Sequence, residues 1–134
     1  MRLSVITPER TVVDAEVTEV TAPGEVGQLG VLPDHIPFLG NLEPGEVRYK
    51  AVDGTGALLI SGGLIEVHDD RITILAGDAL RPDQVDVEAA RRDLDQARVR
   101  RESLDPYGDS HAAALVEERW ADLRVRAAAP APRA

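Results

Sequence analysis

The stretch Gly24-Glu25-Val26-Gly27-Gln28-Leu29-Gly30-Val31-Leu32-Pro33-Asp34-His35-Ile36-Pro37 decides how the chain folds. Glycine recurs there at every third residue, and Pro33 and Pro37 bracket Asp34, His35 and Ile36. Glycine admits positive φ and close backbone approach, whereas proline fixes φ and removes a donor. A helix does not run through such a segment. It reads as a tightly turned, kinked β segment with little side-chain bulk. Few of its groups do chemistry, so its specificity lies in shape.

Strand signals surround it. Leu3 and Val5 alternate with Ser4 ahead of a Pro8-Glu9-Arg10 turn, and Val13, Ala15 and Val17 alternate with Asp14, Glu16 and Thr18. That alternation marks half-buried strands. Val20 lies three residues past Val17, and this change of parity predicts a bulge. Val47, Tyr49 and Ala51 alternate again, Asp53-Gly54-Thr55-Gly56 reads as a turn, and Ala57–Ile60 as a short buried strand. Ser61-Gly62-Gly63 leads into Leu64–His68, and Asp69-Asp70 closes a hairpin onto Arg71–Ala76. Short strands with frequent turns and no intervening helix predict an antiparallel sandwich or barrel and disfavour a parallel sheet.

Ten of the 11 glycines precede residue 80, and the composition changes near Arg81-Pro82-Asp83. Beyond it the period is helical. Asp86 is placed to cap a first helix, with Val87, Ala90, Leu94, Ala97 and Leu104 as its apolar stripe and Arg101 interrupting it. Leu104–Asp109 is a turn. Asp109 or Ser110 caps a second helix with Ala113, Val116, Trp120 and Leu123 as its stripe. Two helices of ~18 residues, each roughly 27 Å long, would make an antiparallel hairpin. Its facing positions are mostly alanine, so the contact is weak; permanent docking and exchange with a partner are equally open. The fold class is thus β plus α: an antiparallel sandwich or barrel at 1–82, a helical hairpin at 83–126, and a disordered tail at 127–134.

The totals narrow the function. Net charge is −9, and residues 1–80 hold 5 basic against 13 acidic groups, a front half that repels phosphate backbones and anionic lipid. Four aromatics are too few for a base-stacking platform, so nucleic-acid binding is a poor reading. There is no cysteine, hence neither a disulfide framework nor a thiolate zinc site. The longest apolar run, Ala112–Val116, is far short of a membrane span, and the start of the chain lacks a signal-peptide core. A soluble, cytoplasmic protein is expected. A peripheral subunit of a membrane-attached assembly fits equally, because such subunits carry no span of their own.

No catalytic constellation emerges. His35, His68 and His111 lie in different elements, and no His-Glu-x-x-His helix or Gly-x-Ser-x-Gly elbow occurs. Gly24, Gly27 and Gly30 lack phosphate-cradle context. His35 reads as a structural histidine in a proline-bracketed turn. Glu117-Glu118 and Asp69-Asp70 read as solvated surface. Arg98, Arg100 and Arg101 cluster late in the first helix. They either complement the helix macrodipole or form a basic patch for an acidic partner helix.

Taken with Leu42-x-Pro44-Gly45 and Ser61-Gly62-Gly63-Leu64-Ile65-Glu66-Val67, the opening stretch resembles one family. It is the epsilon subunit of bacterial and chloroplast F-type ATP synthases, called delta in mitochondria. The resemblance covers residues 1–126. It implies a β-sandwich of about ten strands and a C-terminal helical hairpin. It also implies a non-catalytic central-stalk subunit, peripheral on the cytoplasmic face of the cell membrane, with no cofactor of its own. By the same resemblance the gamma subunit and the polar loops of the c-ring meet Glu25, Gln28, Leu29, Val31, Asp34 and His35. Gln28 stands where relatives often carry a ring-contacting glutamate. The hairpin would extend into the alpha/beta catalytic head to restrain ATP hydrolysis, with Arg98, Arg100, Arg101, Arg119, Arg124 and Arg126 as the basic groups involved. Some relatives bind ATP through a run like Ile/Leu-Asp-x-x-Arg-Ala; here it reads Val85-Asp86-Val87-Glu88-Ala89-Ala90, with Ala89 in place of the arginine. The alternative reading is a free-standing sandwich-and-hairpin adaptor of another complex.

Overall fold

The computed structural model describes residues 1–128 and divides the chain between Leu80 and Arg81, two residues ahead of the boundary expected from the sequence. The first unit contains β1 (Arg2–Ile6), β2 (Thr11–Gly24), β3 (Gly27–Val31), β4 (Phe38–Leu42), β5 (Gly45–Ala51), β6 (Gly54–Ile60), β7 (Gly63–His68), β8 (Arg71–Ala76) and β9 (Ala79–Leu80). Nine strands thus stand among the described residues, against about ten implied by the resemblance.

β2, 14 residues long, organises the sheet because it changes partners along its length. Residues 11–16 pair with β1, residues 17–21 with β5, and residues 20–24 with β3, while Gly24 meets Leu42 of β4. The parity change seen in the sequence is a register shift between Val17 and Glu19. Neighbouring strands run β1-β8-β7-β4-β2-β5-β6-β9, and β1 also returns to β2. The sheet therefore closes on itself around one core, in which Leu3, Val20, Val47, Ile60, Ile65 and Ile74 are wholly inaccessible.

Two expectations need correction. β1 and β8 pair in parallel, with Leu3 opposite Ile72 and Val5 opposite Ile74. No helix crosses over between them; the intervening strands make the connection. The β5–β6 turn is Val52-Asp53, and Gly54-Thr55-Gly56 belongs to β6. Gly56 sits opposite Tyr49, and a Cβ there would lie 2.6 Å from Tyr49 Cε2. The glycine makes room for an aromatic ring, not for a turn. Asp69-Asp70 does close the β7–β8 hairpin, with φ of 50° and 60°, as a two-residue primed turn demands.

The second unit opens with a 3-10 turn at Pro82–Gln84, followed by α1 (Val87–Glu102) and α2 (Asp109–Ala128). Asp86 caps α1, its Oδ1 accepting from Ala89 N at 3.1 Å. Ser103 ends it, donating its hydroxyl to Arg100 O at 2.9 Å. The carbonyl that accepts the first bond of α2, from Ala112 N at 3.3 Å, belongs to Gly108, so Asp109 stands in the first turn and is not the cap. α2 runs two residues past the hairpin boundary expected at 126. Residues 129–134 of the expected tail lie outside the described residues.

The centre of the α1 stripe is as read, with Ala90, Leu94 and Ala97 buried, but Val87 is half-buried and Leu104 lies past the Ser103 cap, outside the helix. That of α2 is not. Ala114 and Ala121 are buried, whereas Ala113 and Val116 are exposed and Trp120 and Leu123 are half-buried. The seam of α2 passes through Glu118, a charged residue that hydrophobic periodicity does not count.

Candidate functional site

The glycine- and proline-rich segment supplies the first candidate. Glu25-Val26 is the two-residue turn between β2 and β3, with Gly24 opposite Gly27. From there β3 runs in register, Gln28 opposite Pro23 and Val31 opposite Val20. Alternation turns Gln28 and Gly30 outward and Leu29 and Val31 inward. Val31 is wholly buried, and Leu29 packs against the core from a half-buried position. Val31 is therefore corrected from a contact residue to a core residue, because its partner Val20 faces the interior. The turn at Glu25-Val26 and the loop starting at Leu32 lie at opposite ends of a five-residue strand, about 16 Å apart. The residues proposed for one contact thus divide into two groups, Glu25 with Gln28 and Asp34 with His35.

The loop after β3 is held locally. His35 N donates to Leu32 O at 3.2 Å, and Asp34 takes the left-handed conformation at φ 65°. His35 Nδ1 lies 2.7 Å from Ile36 O, so that nitrogen carries the proton and donates. The imidazole also meets the Phe38 ring edge-on, with centroids 6.3 Å apart and planes at 78°. His35 is a structural histidine here. In this loop Ile36 is 75% exposed and Leu32 57%, and in the turn at the other end of β3 Val26 is fully exposed.

A second apolar feature escaped the sequence reading. On the outer side of the sheet, Leu64 of β7 faces Leu75 of β8, and both are exposed, as is Leu39 of β4. The signal was the adjacency of Leu64 to Ile65 and of Ile74 to Leu75, which makes both faces of those strands apolar. A depression of about 380 Å³ over β2, β5 and β6 is lined by Glu19, Thr21, Arg48 and Lys50 among others. Its cations are already paired, Lys50 with Glu19 at 3.2 Å and Arg48 with Glu46.

The third candidate is the arginine set of the hairpin. Glu118 receives the fork of Arg101, and Arg98 Nε lies 3.3 Å from the same carboxylate. Arg100 pairs with Glu117, and Arg124 Nη1 with Asp93 at 3.1 Å. Partner numbers fall along α2 as they rise along α1, the signature of antiparallel helices. Arg126 pairs within its own helix, with Asp122 at 2.9 Å, and Arg119 occupies an exposed position of α2. Arg124 also lies 5.1 Å from the Trp120 ring centroid, while its Nε is buried without a partner. The Arg101 guanidinium, aided by Arg98, holds the Glu118 carboxyl below its usual value against the opposing effect of burial. Glu118 is therefore not the solvated surface residue expected. Among the described residues no group of three or more His, Asp or Glu is arranged to hold a metal.

The chain is a curled β-sandwich unit followed by a helical hairpin. Residues 1–82 match the family described as ATP synthase, Delta/Epsilon chain, beta-sandwich domain. The ATP synthase epsilon chain of Nitratidesulfovibrio vulgaris (strain DP4) is 39% identical over 127 residues, covering 94% of this chain and 95% of that one. That of Geotalea uraniireducens is 35% identical over 133 residues, covering 99% and 96%. The chain belongs to the ATP synthase delta/epsilon family. Solved structures share the fold. A chain of the Euglena gracilis mitochondrial ATP synthase, in an OSCP/F1/c-ring structure, aligns with TM-score 0.73 at 22% identity over 90% of this chain and 76% of that one. A chain of the Tetrahymena thermophila mitochondrial ATP synthase central stalk/c-ring aligns with TM-score 0.66 at 17% identity over 96% of both.

Proposed function

We propose that this chain is a non-catalytic central-stalk subunit of a proton-translocating ATP synthase, and that it helps the gamma subunit and the c-ring turn as one body. The observation that carries the reading is the exposure of Val26, Leu32 and Ile36 in the family's signature segment. Apolar side chains held in solvent on short, locally braced turns gain by being covered. Glu25, Gln28, Asp34 and His35 frame them. Gln28 offers a neutral amide to the c-ring loops, so its contact is a hydrogen bond and not an ion pair. No described helix is long and apolar enough to cross a membrane; in this reading attachment is through partners. The position is peripheral, on the cytoplasmic face of the cell membrane. The free-standing adaptor is not favoured, because relatives matching over nearly their whole length are ATP synthase chains.

The hairpin regulates ATP hydrolysis in this reading. Arginines that are paired between the helices when the hairpin is closed become available to the alpha/beta head when it opens. The test is co-purification of the tagged full chain with gamma and the c-ring from membranes of the source organism. Recovery of both, with loss of both after Val26→Asp and Ile36→Asp together, is the expected result. A chain that purifies without them overturns the reading.

A further inference from the structure

The helices of the hairpin meet along a seam of small residues broken by one ion pair. Ala90, Leu94 and Ala97 face Ala114 and Ala121, and at the remaining seam positions stand Arg101 and Glu118. Alanine buries little apolar area, so at ~25 cal/mol per Å² the seam contributes weakly. Glu118 is only 15% exposed and Arg101 29%. Pairing two partly desolvated charges roughly offsets what their dehydration costs, and apolar residues of similar size commonly hold as well or better. The buried, unpartnered Nε of Arg124 subtracts further. The closed hairpin is thus specified in register but held loosely, and removing one partner of the pair strands a half-buried charge that favours opening.

We propose that Arg98, Arg101 and Glu118 form an ionic latch on the closed hairpin. Glu118, with Glu117 beside it, stands in for the carboxylates of an acidic partner segment and keeps Arg98, Arg100 and Arg101 occupied until the helices part. An acidic partner then competes with this chain's own glutamates for the same guanidinium forks. The identity of that partner rests on the regulatory reading above; the latch itself does not.

The experiment uses the full chain alone. It has no cysteine, so Gln96→Cys and Leu115→Cys, both exposed positions on opposite helices, carry spin labels at defined sites. Pulsed electron paramagnetic resonance reads the distance between the helices at about 0.05 M and about 0.5 M salt, where screening lengths differ severalfold. Salt should raise the open population. Glu118→Gln should raise it about fivefold at low salt, as expected for loss of one charge-assisted pair. Arg101→Leu with Glu118→Leu should stay closed at both salts. A Glu118→Gln distribution equal to that of the parent, or a double-leucine variant more open than the parent, overturns the latch. So does loss of helical ellipticity in Glu118→Gln, which would assign the carboxylate to helix stability. Failure of the rotor reading appears as lost co-purification and leaves these distances unchanged.

Discussion

Arg101 and Glu118 face each other across a seam that is otherwise alanine and leucine, and the guanidinium presents both Nε and Nη2 to the two carboxylate oxygens. The consequence is a pH dependence with a definite sign. Glu118 has its usual value near 4.5 when the chain is unfolded and a lower one when paired. Its contribution is complete above about pH 4.5 and disappears as pH falls through the depressed folded value. The groups facing it are Arg98 and Arg101 from α1, with Glu102 adjacent to Arg101 and Glu117 beside it on α2. Trp120 is the only tryptophan and lies in α2, so its fluorescence reports on the hairpin. Acid titration should show a hairpin transition below pH 4.5, and Glu118→Gln should flatten it. Superimposable titrations of the two proteins would remove the pair from the account.

Val31 and Val26 lie on the same hairpin and should respond oppositely to substitution. Val31 is fully buried against the core, so Val31→Ala should cost about 1–3 kcal/mol in urea unfolding. Val26 is fully exposed, so Val26→Asp should change stability by no more than about 0.5 kcal/mol while reducing recovery with gamma and the c-ring. A large loss of stability at Val26, or unchanged recovery, would contradict a role in docking.

Gly63 and Gly30 differ in the same instructive way. Gly63 has φ of +152°, and a Cβ there would sit 3.0 Å from Ala76 Cα, with the Leu75 carbonyl nearer still. Gly63→Ala should therefore destabilise the sandwich by about 2–4 kcal/mol, because backbone on the neighbouring strand must move. A Cβ built on Gly30 would meet nothing within 4 Å. Gly30→Ala should be tolerated to within about 0.5 kcal/mol in the isolated chain. Reduced assembly by that variant, with stability intact, would place a partner's backbone against Gly30.

What the sequence made legible follows from which signals are local. Period-two alternation located the strands, and the Val17-to-Val20 parity change located the bulge between Val17 and Glu19. Both are properties of a single strand. The parallel pairing of β1 with β8 was invisible because it joins residues some seventy positions apart, Leu3 with Ile72. Gly56 misled because a glycine that admits the Tyr49 ring is indistinguishable in sequence from one that turns the chain. In the hairpin, Glu118 misled because a half-buried charge breaks the apolar period at the point where the two helices touch. At the candidate surface the signature segment was identified correctly as turned β structure, yet sequence could not tell inward Val31 from outward Gln28 without the register of β3.

The degenerate run Val85–Ala90 carries a prediction about nucleotide. Asp86 already serves as the cap of α1, and position 89, where the ATP-binding relatives carry arginine, is alanine. Arg91 pairs along its own helix with Glu88 at 3.5 Å. Without a guanidinium at position 89, a triphosphate finds less charge beside the cap. Isothermal titration of the full chain with ATP should give no binding tighter than about 1 mM, an affinity worth only ~4 kcal/mol. Micromolar binding would show that other arginines of the hairpin compensate.

Removal of residues 86–134 separates the two roles assigned to the chain. The division at Leu80 leaves every sandwich strand in the retained part, so the truncated chain should still assemble with gamma and the c-ring. If the hairpin restrains the catalytic head, hydrolysis of ATP by the assembled enzyme should rise about fivefold, the response expected of a coupling near 1 kcal/mol. Glu118→Gln should move hydrolysis the other way in the intact chain, because freeing the arginines favours the extended hairpin. Two variants with opposite effects on one rate distinguish regulation from mere loss of packing, since damage to the stalk would depress activity in both. Hydrolysis unchanged in the truncated enzyme would confine the hairpin to a structural role and leave the sandwich as the whole of the working subunit.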